Sequence, residues 1–234
     1  MTLQLGLLGT DGLVIASDQN ACFADDPIRS SSTSPKIFWD THRGIVCAAS
    51  GDLVAPLVAK DLVKLEISAA SPRDEVFDIL QRSVEELWRT HVPKKYNGDP
   101  DRNPSISLLV GLTANPHHLW RIGHPKVASG AAGYLDKIHN GDGANSAKYF
   151  TERFYKHPQL LPINDLVFLA AHTIIEGGRL NPTMVGGLEL LTWKFGEREP
   201  KLFSDQDKRE LTDRSDRLIE ALRTSIFSLP QPRT

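Results

Sequence analysis

The sequence predicts an α+β fold, and two kinds of pattern predict it. Apolar residues alternate with period two at the start of the chain and near residues 105–113, which is typical of strands. Other stretches repeat apolar residues at the spacing of an amphipathic helix. In chain order the patterns indicate strands, two helices, strands, two helices, one strand and a final helix. Two sheets packed face to face between layers of helices would use all of these elements.

A β-hairpin is predicted at the start of the chain. Leucines alternate with smaller or polar residues over 3–7, and Asp11-Gly12 is a strong hairpin turn signal. A second apolar run covers 13–16 and stops at Asp18. Together these features predict paired strands at 2–9 and 12–18.

Polar residues and two prolines predict a loop over 19–35, before strands at 36–39 and 44–49. Asp52 is then a candidate N-cap for a helix that ends near residue 69. Pro72 suits the first turn of a second amphipathic helix, which ends at a polar loop that begins at Pro93.

Similar patterns continue through the second half of the chain. A run with three apolar residues on one face predicts a buried strand, turn residues separate further apolar runs, and Gly177-Gly178 ends a helix. Strands are predicted at 105–113, 118–122, 133–138 and 188–195, and helices at 144–157, 162–177 and 204–227.

Composition indicates a soluble cytoplasmic protein. The 234 residues suffice for one sizeable domain, and the net charge of −2 gives no reason to expect nucleic acid or an anionic membrane as partner. Two cysteines do not make a disulfide framework, and Cys47 lies in an apolar run that predicts a core position. No signal peptide is recognised before Thr2, and no apolar run approaches the roughly 18 residues of a membrane span. We expect no cofactor.

A series of short motifs resembles the β-type subunits of proteasomes, which are threonine-type N-terminal nucleophile hydrolases. The resemblance extends over about residues 2–196 and includes the bacterial HslV and Anbu peptidases. It depends on order and spacing, since each motif alone is weak. The matching positions are Thr2, Gly6, Asp11-Gly12, Ala16, Asp18, Lys36-Ile37, Gly51-Asp52, Gly141-Asp142-Gly143 with Ala147, and Gly186-Gly187.

This resemblance implies a four-layer αββα sandwich over residues 1–203, with 204–234 as a C-terminal helical extension packed on the same domain. It also implies a homo-oligomeric ring, stacked as a double ring, that encloses its active sites. A polypeptide substrate and an ATP-dependent unfoldase are the implied partners. Peptide-bond hydrolysis through an acyl-enzyme is the implied reaction.

Thr2, Asp18 and Lys36 are the candidate catalytic residues. Thr2 is small enough for a methionine aminopeptidase to remove Met1, and the freed amine can then act as base for the threonine hydroxyl. A neighbouring lysine disfavours the protonated amine and stabilises a developing alkoxide, while an aspartate compensates the buried lysine. Without the resemblance, Thr2 is an ordinary second residue, and Asp18 with Lys36 an ordinary ion pair.

Three residues near Gly51-Asp52 are candidates for binding the oxyanion and the substrate. The resemblance places the oxyanion donor at the Ala48 N–H, since catalysis of this kind needs a backbone donor in a water-poor site. Val46 matches a pocket-floor position. Ser50 is small and leaves room for a substrate backbone beside the strand.

The supporting residues of the family are altered in this chain. Asp142 stands where the family has serine, and it is equally suited to cap a helix. Pro182 and Val185 stand where the family has aspartate and serine. Asn181 and Thr183 lie beside them and are the candidate replacements.

The altered supporting residues leave two alternative functions open, and the histidines raise the question of a metal site. The chain could be a proteasome-like ring or scaffold subunit without turnover, or an amidase of the same fold that acts on a small molecule. His117-His118 with His124 resembles a metal cluster, but successive strand residues point to opposite faces, so we expect no metal site.

Overall fold

A computed structural model describes most of the chain. It covers residues 2–21, 32–67, 72–96, 104–113, 117–124, 137–140, 148–149, 151–153, 161–182 and 185–227. The strands are β1 Gln4–Leu8, β2 Gly12–Ser17, β3 Asn20–Ala21, β4 Ser32–Thr33, β5 Ile37–Asp40, β6 Ile45–Gly51, β7 Ile106–Leu112, β8 His118–His124, β9 Lys137–Asn140, β10 Glu189–Lys194 and β11 Lys201–Leu202. The helices are α1 Ala55–Leu62, α2 Arg73–Tyr96, α3 Ile163–Leu180 and α4 Asp205–Phe227.

Two antiparallel sheets form the centre of the fold, which confirms the α+β class. The first sheet has the order β11-β10-β2-β1-β9, with the predicted hairpin in the middle. The second has the order β5-β6-β7-β8. β3 and β4 form a short ribbon inside the stretch that was predicted to be a loop.

Three groups of buried side chains define the layers. Leu5 and Leu7 of β1, with Leu3 just before it, pack with α3, because alternate residues of an extended chain share a face. Side chains of the second sheet pack in the same way against α1 and α2. A third group, which includes Trp193 and Leu109, lies between the two sheets. The described layers therefore follow the order helices, sheet, sheet, helix.

The space between the sheets changes from apolar to polar along its length. Trp193 and Val46 fill one part of it. Towards the N-terminal end of β1, a row of buried polar residues crosses the first sheet, formed by Asn140, Gln4, Ser17 and Glu189 in paired positions. Buried polar groups need hydrogen-bond partners, so this row links the sheets through specific bonds.

The first helices differ from their predicted bounds. α1 begins at Ala55 rather than directly after Asp52, because Asp52 O accepts the Ala55 N–H in a preceding turn (2.8 Å) and Val54 holds the N-cap position. α1 also ends earlier than expected, at Leu62. α2 continues through Pro93 to Tyr96; a proline so near the helix end disturbs only the last turn.

Parts of two predicted elements lie outside the described residues. These are 133–136 of one strand, and 144–147, 150 and 154–157 of one helix, of which 148–149 and 151–153 are helical. β10 and α4 lie within one residue of their predicted bounds, whereas the short strand β11 was not predicted. Among the described helices, none combines the length and hydrophobicity that crossing a bilayer requires.

Candidate active site

Thr2, Lys36 and Asp18 meet at the end of the first sheet where β1 begins and β2 ends. Lys36 Nζ lies 3.3 Å from Thr2 Oγ1 and 2.9 Å from Asp18 Oδ1. Thr2 lies two residues before the start of β1, and Asp18 directly follows β2. The Leu3 N–H donates to Asp18 Oδ1 and the Asp18 N–H donates to Leu3 O, so the hairpin itself fixes these two residues.

All three side chains are withdrawn from solvent. Asp18 is fully buried, and Lys36 and Thr2 are 6% and 8% exposed. Burial raises the pKa of Asp18, while the Lys36 ammonium and the Leu3 N–H act in the opposite direction. Removing one member of a buried pair leaves the other charge uncompensated, so each charge here depends on its partner.

A pocket of about 80 Å³ opens beside Thr2 and Lys36. Its other lining residues are mostly small: Asn20, Ser34, Ala49, Ser50, Gly51, Asp52, Leu53, Ala55 and Pro56. Small side chains leave space for an extended backbone next to β6. The end of β6 and the start of α1 therefore form one wall of the candidate site.

The register of β6 decides which of its backbone groups face this pocket. The Asp52 N–H donates to Ser105 O, so Gly51 and Ile106 form a non-hydrogen-bonded pair. Successive N–H groups of a strand point alternately to its two neighbours. The Ala48 N–H therefore points at β7, whereas the Gly51 N–H points away from β7, to the side of β6 on which Lys36 lies. Of these two N–H groups, that of Gly51 has the direction that a donor into this pocket needs, and the oxyanion role itself stays a prediction.

Val46 and Ala48 are not part of the pocket. Both side chains are fully buried in the apolar group between the sheets, because β6 residues of this parity face the first sheet. Ser50 has the same parity but lies at the strand end, where it lines the pocket as expected. Of the three residues expected at this wall, the structure brings only Ser50 beside Thr2.

The predicted supporting residues make other contacts or lie outside the described residues. Asn181 Nδ2 lies 3.4 Å from Gly177 O, so its side chain turns back to the end of α3. Pro182 is exposed, and Val185 is buried against α3. Asp142 and Thr183 lie outside the described residues, and their predicted role stays a prediction.

Two buried polar residues beside the site were not found from sequence. Gln4 Nε2 donates to Ala49 O (2.6 Å), and Glu189 Oε2 accepts the Lys36 N–H (2.7 Å). Burial raises the pKa of Glu189, and the Lys36 and Ile37 N–H groups act in the opposite direction. A single polar residue at an inward position of an apolar strand was the available signal, since such groups need a partner.

The Gly186-Gly187 pair permits a close approach of chain segments next to the pocket. A Cβ atom on Gly186 would lie 2.5 Å from Asn20 Nδ2, and one on Gly187 would lie 2.9 Å from Gln19 Oε1. Gly186 O also accepts the Gln19 N–H. Any side chain at Gly186 would therefore displace Asn20, which lines the pocket.

The three histidines considered as metal ligands lie in separate surroundings. His117 stacks on Phe195, His118 packs beside Trp120, and His124 packs beside Trp88. Within the described parts of the chain, no group of three or more His, Cys, Asp or Glu side chains has an arrangement that would hold a metal ion.

Solved structures of Anbu proteins share this fold. Anbu (ancestral beta-subunit) from Yersinia bercovieri matches with a TM-score of 0.70 and 15% identity over 100% of both chains. Anbu from Pseudomonas aeruginosa, solved as a helical assembly of the Anbu complex, matches with a TM-score of 0.68 and 16% identity over 99% of this chain and 98% of that one. Anbu from Hyphomicrobium sp. strain MC1 gives 0.67 and 14%, over 99% and 100%. No protein-family model and no curated protein matches the sequence.

Proposed function

We propose that this chain is a proteasome-like N-terminal nucleophile hydrolase that cleaves peptide bonds with Thr2 as nucleophile. One observation carries the proposal: Thr2 Oγ1, Lys36 Nζ and Asp18 Oδ1 form a buried chain of contacts beside a pocket. The shared fold with Anbu structures supports it, because it places this cluster in a scaffold of the same architecture.

In the proposed reaction, loss of Met1 frees the Thr2 amine, which takes the proton from Thr2 Oγ1 as the oxygen attacks the substrate carbonyl carbon. Lys36 Nζ stabilises the developing alkoxide from 3.3 Å. The tetrahedral intermediate then collapses, the C–N bond breaks, and the leaving amine takes the proton. Water hydrolyses the resulting ester and restores Thr2.

The proposed oxyanion donor is the Gly51 N–H. This N–H points away from β7, and Gly51 lines the pocket, which supports the role. Gly51 has a φ of +107°, and a Cβ atom there would lie 2.4 Å from Ser105 O. Only glycine fits this backbone position.

We further propose a homo-oligomeric assembly in the cytoplasm. The helical assembly of the Anbu complex from Pseudomonas aeruginosa supports the first part, as a chain with the same fold. A closed double ring and an ATP-dependent unfoldase are finer parts of the same proposal. Electron microscopy of the purified protein distinguishes a ring, an open helix and a small oligomer.

A non-catalytic scaffold is the second candidate. Asn181 lies at the C-cap of α3 and Val185 packs in the core, and the contacts described for them are with these elements rather than with Thr2. The supporting contacts to the amine would then depend on residues outside the described parts. A folded, assembled protein without turnover would fit this arrangement.

The test is covalent trapping with a peptide epoxyketone or β-lactone, followed by intact mass measurement. We expect loss of Met1 and one adduct per chain, absent in Thr2→Ala. Thr10→Ala is the matched control, because it removes an exposed hydroxyl from the turn of the same hairpin. A chain that begins at Thr2 but stays unmodified from about pH 6 to 10, where a typical α-amine titrates, contradicts the proposal and favours the scaffold.

A further inference from the structure

The ladder between β5 and β6 is broken next to the candidate nucleophile. The Ala49 N–H donates to Lys36 O (2.9 Å), and in a regular antiparallel pair the Lys36 N–H would donate to Ala49 O in return. Instead, the Lys36 N–H donates to Glu189 Oε2 (2.7 Å), and Ala49 O accepts from Gln4 Nε2 (2.6 Å). Two side chains thus replace one backbone hydrogen bond.

Both replacing side chains come from the opposite sheet. Gln4 lies on β1 and Glu189 on β10, and both pair with Ser17 of the intervening strand β2. They therefore stand in one row and reach across the space between the sheets at the same level. Both are almost completely buried, at 0% and 5% exposure, so each bond forms away from water.

The orientation of the Gln4 amide is fixed by a third residue of this row. Asn140 Nδ2 donates to Gln4 Oε1 (2.8 Å), which leaves Gln4 Nε2 directed at Ala49 O. Asn140 is held in turn by bonds with Ser107 of β7, whose hydroxyl donates to Asn140 Oδ1 and whose carbonyl accepts from Asn140 Nδ2. Gln4 and Asn140 thus bond the row to β6 and β7 of the second sheet.

The two bonds act on the two sides of the pocket. Gln4, the first residue of β1, lies two residues after Thr2, and Ala49 lies two residues before Gly51 on β6. The Gln4–Ala49 bond therefore sets the distance between the proposed nucleophile and the proposed oxyanion donor. The Glu189–Lys36 bond fixes the position of the Lys36 backbone, and this position decides where the Lys36 ammonium lies relative to Thr2.

We infer that Gln4 and Glu189 are positioning residues of the reaction. They bond the Ala49 carbonyl and the Lys36 N–H, which do not bond each other, and so hold Lys36 and the pocket wall in register with Thr2. This inference rests on the proposed function. It assigns no contact with substrate to either residue. Its consequence is a loss of rate in the chemical step, with little change in substrate binding.

The test separates the rate constant of adduct formation from the affinity for the trap. We expect Gln4→Met and Glu189→Met to lower the rate constant by about tenfold to a hundredfold, the scale of a small misplacement of reacting groups, with affinity within about twofold. Glu189→Gln keeps an oxygen acceptor for the Lys36 N–H and should stay within about threefold of wild type in rate.

Gln81→Met is the matched control. Gln81 is a buried glutamine whose Nε2 donates to a strand carbonyl, Gly123 O (3.0 Å), but it lies on α2 and does not line the pocket. Folded protein is purified for each variant and its secondary structure compared before trapping. Equal rate losses in Gln4→Met and Gln81→Met, or wild-type rates in Gln4→Met and Glu189→Met, overturn the inference.

Amide hydrogen exchange gives a second readout that does not depend on catalysis. In wild type the Lys36 and Ile37 N–H groups, which both lie within bonding distance of Glu189 Oε2, should exchange slowly. Glu189→Met should expose both, and Glu189→Gln should not. If wild type fails to react with any trap, the proposed function is refuted, and the inference that Gln4 and Glu189 position the reaction is refuted with it. If wild type reacts but these amides exchange alike in all variants, only the positioning inference is overturned.

Discussion

Replacing Lys36 with methionine tests the buried ion pair through the stability of the fold. The substitution keeps an unbranched side chain but removes the ammonium group that lies 2.9 Å from Asp18 Oδ1. Asp18 is fully buried and then keeps the Leu3 and Asn20 backbone N–H donors but loses the Lys36 cation. We expect the free energy of unfolding at pH 7 to fall by about 3–5 kcal/mol, the usual cost of leaving one charge of a buried pair alone.

A double-mutant cycle separates the pair from the loss of packing. Asp18→Asn alone should cost about the same, because it leaves the Lys36 ammonium without its carboxylate. The double variant leaves no charge and keeps an oxygen for the Leu3 N–H, so it should cost only about 2 kcal/mol or less. The coupling energy should therefore reach at least about 4 kcal/mol.

The loss in Lys36→Met should also depend on pH. Burial already raises the pKa of Asp18, and removing the cation raises it further. The folded state then holds a proton up to a higher pH than the unfolded chain, so stability falls as pH rises above about 4. Lowering the pH from 7 to 5 should restore up to about 2.7 kcal/mol relative to wild type.

Urea unfolding followed by circular dichroism measures these quantities. All variants are compared at one protein concentration, because assembly contributes to apparent stability. Single variants within about 1 kcal/mol of wild type, with parallel pH dependence, would refute the reasoning, since they would show that neither buried charge needs the other.

Three further predictions concern separate parts of the fold. Gly186→Ala should cost about 1–3 kcal/mol and slow adduct formation, because its Cβ atom would lie 2.5 Å from Asn20 Nδ2; Gly196→Ala, with φ +83° and no atom within 4 Å, should cost about 1 kcal/mol without slowing it. Burial lowers the pKa of His139 to about 4, so this residue stays neutral in the folded protein at pH values where the unfolded chain binds a proton. The free energy of unfolding should therefore fall by up to about 3 kcal/mol between pH 6.5 and 4. His139→Gln should remove that pH dependence. Cys47 is fully buried and burial raises its pKa, so peptide mapping should find it unlabelled by a thiol reagent until the protein unfolds.

Local pattern was sufficient for the elements that bring the candidate residues together. The Asp11-Gly12 turn and the alternating leucines predicted the β1–β2 hairpin, and that hairpin brings Thr2 beside Asp18. Lys36 was placed by its order in the motif series, and its ammonium does contact both residues. The chemistry proposed for them stays a prediction that trapping must decide.

The wall of the pocket could not be placed by counting residues. Whether a strand N–H points at one neighbour or the other alternates with every residue, so an error of one in register reverses the assignment. Counting led to Ala48, whose N–H faces β7, while the pairing of Gly51 with Ile106 turns the Gly51 N–H to the pocket edge. The roles of Gln4 and Glu189 were not predicted for a related reason, because they depend on which residues of the two sheets lie opposite each other.

Gly51 also limits what a bare comparison of sequences can say about activity. A side chain there would collide with Ser105 O at 2.4 Å, and its φ of +107° disfavours other residues, whether or not the chain cleaves anything. A chain of this fold that had lost its chemistry would still keep glycine at this position for backbone reasons alone. Gly51 therefore identifies the architecture, and Lys36 is kept for the stability of its buried pair with Asp18. Thr2 is free to drift once turnover is lost and is the position that discriminates active from inactive relatives.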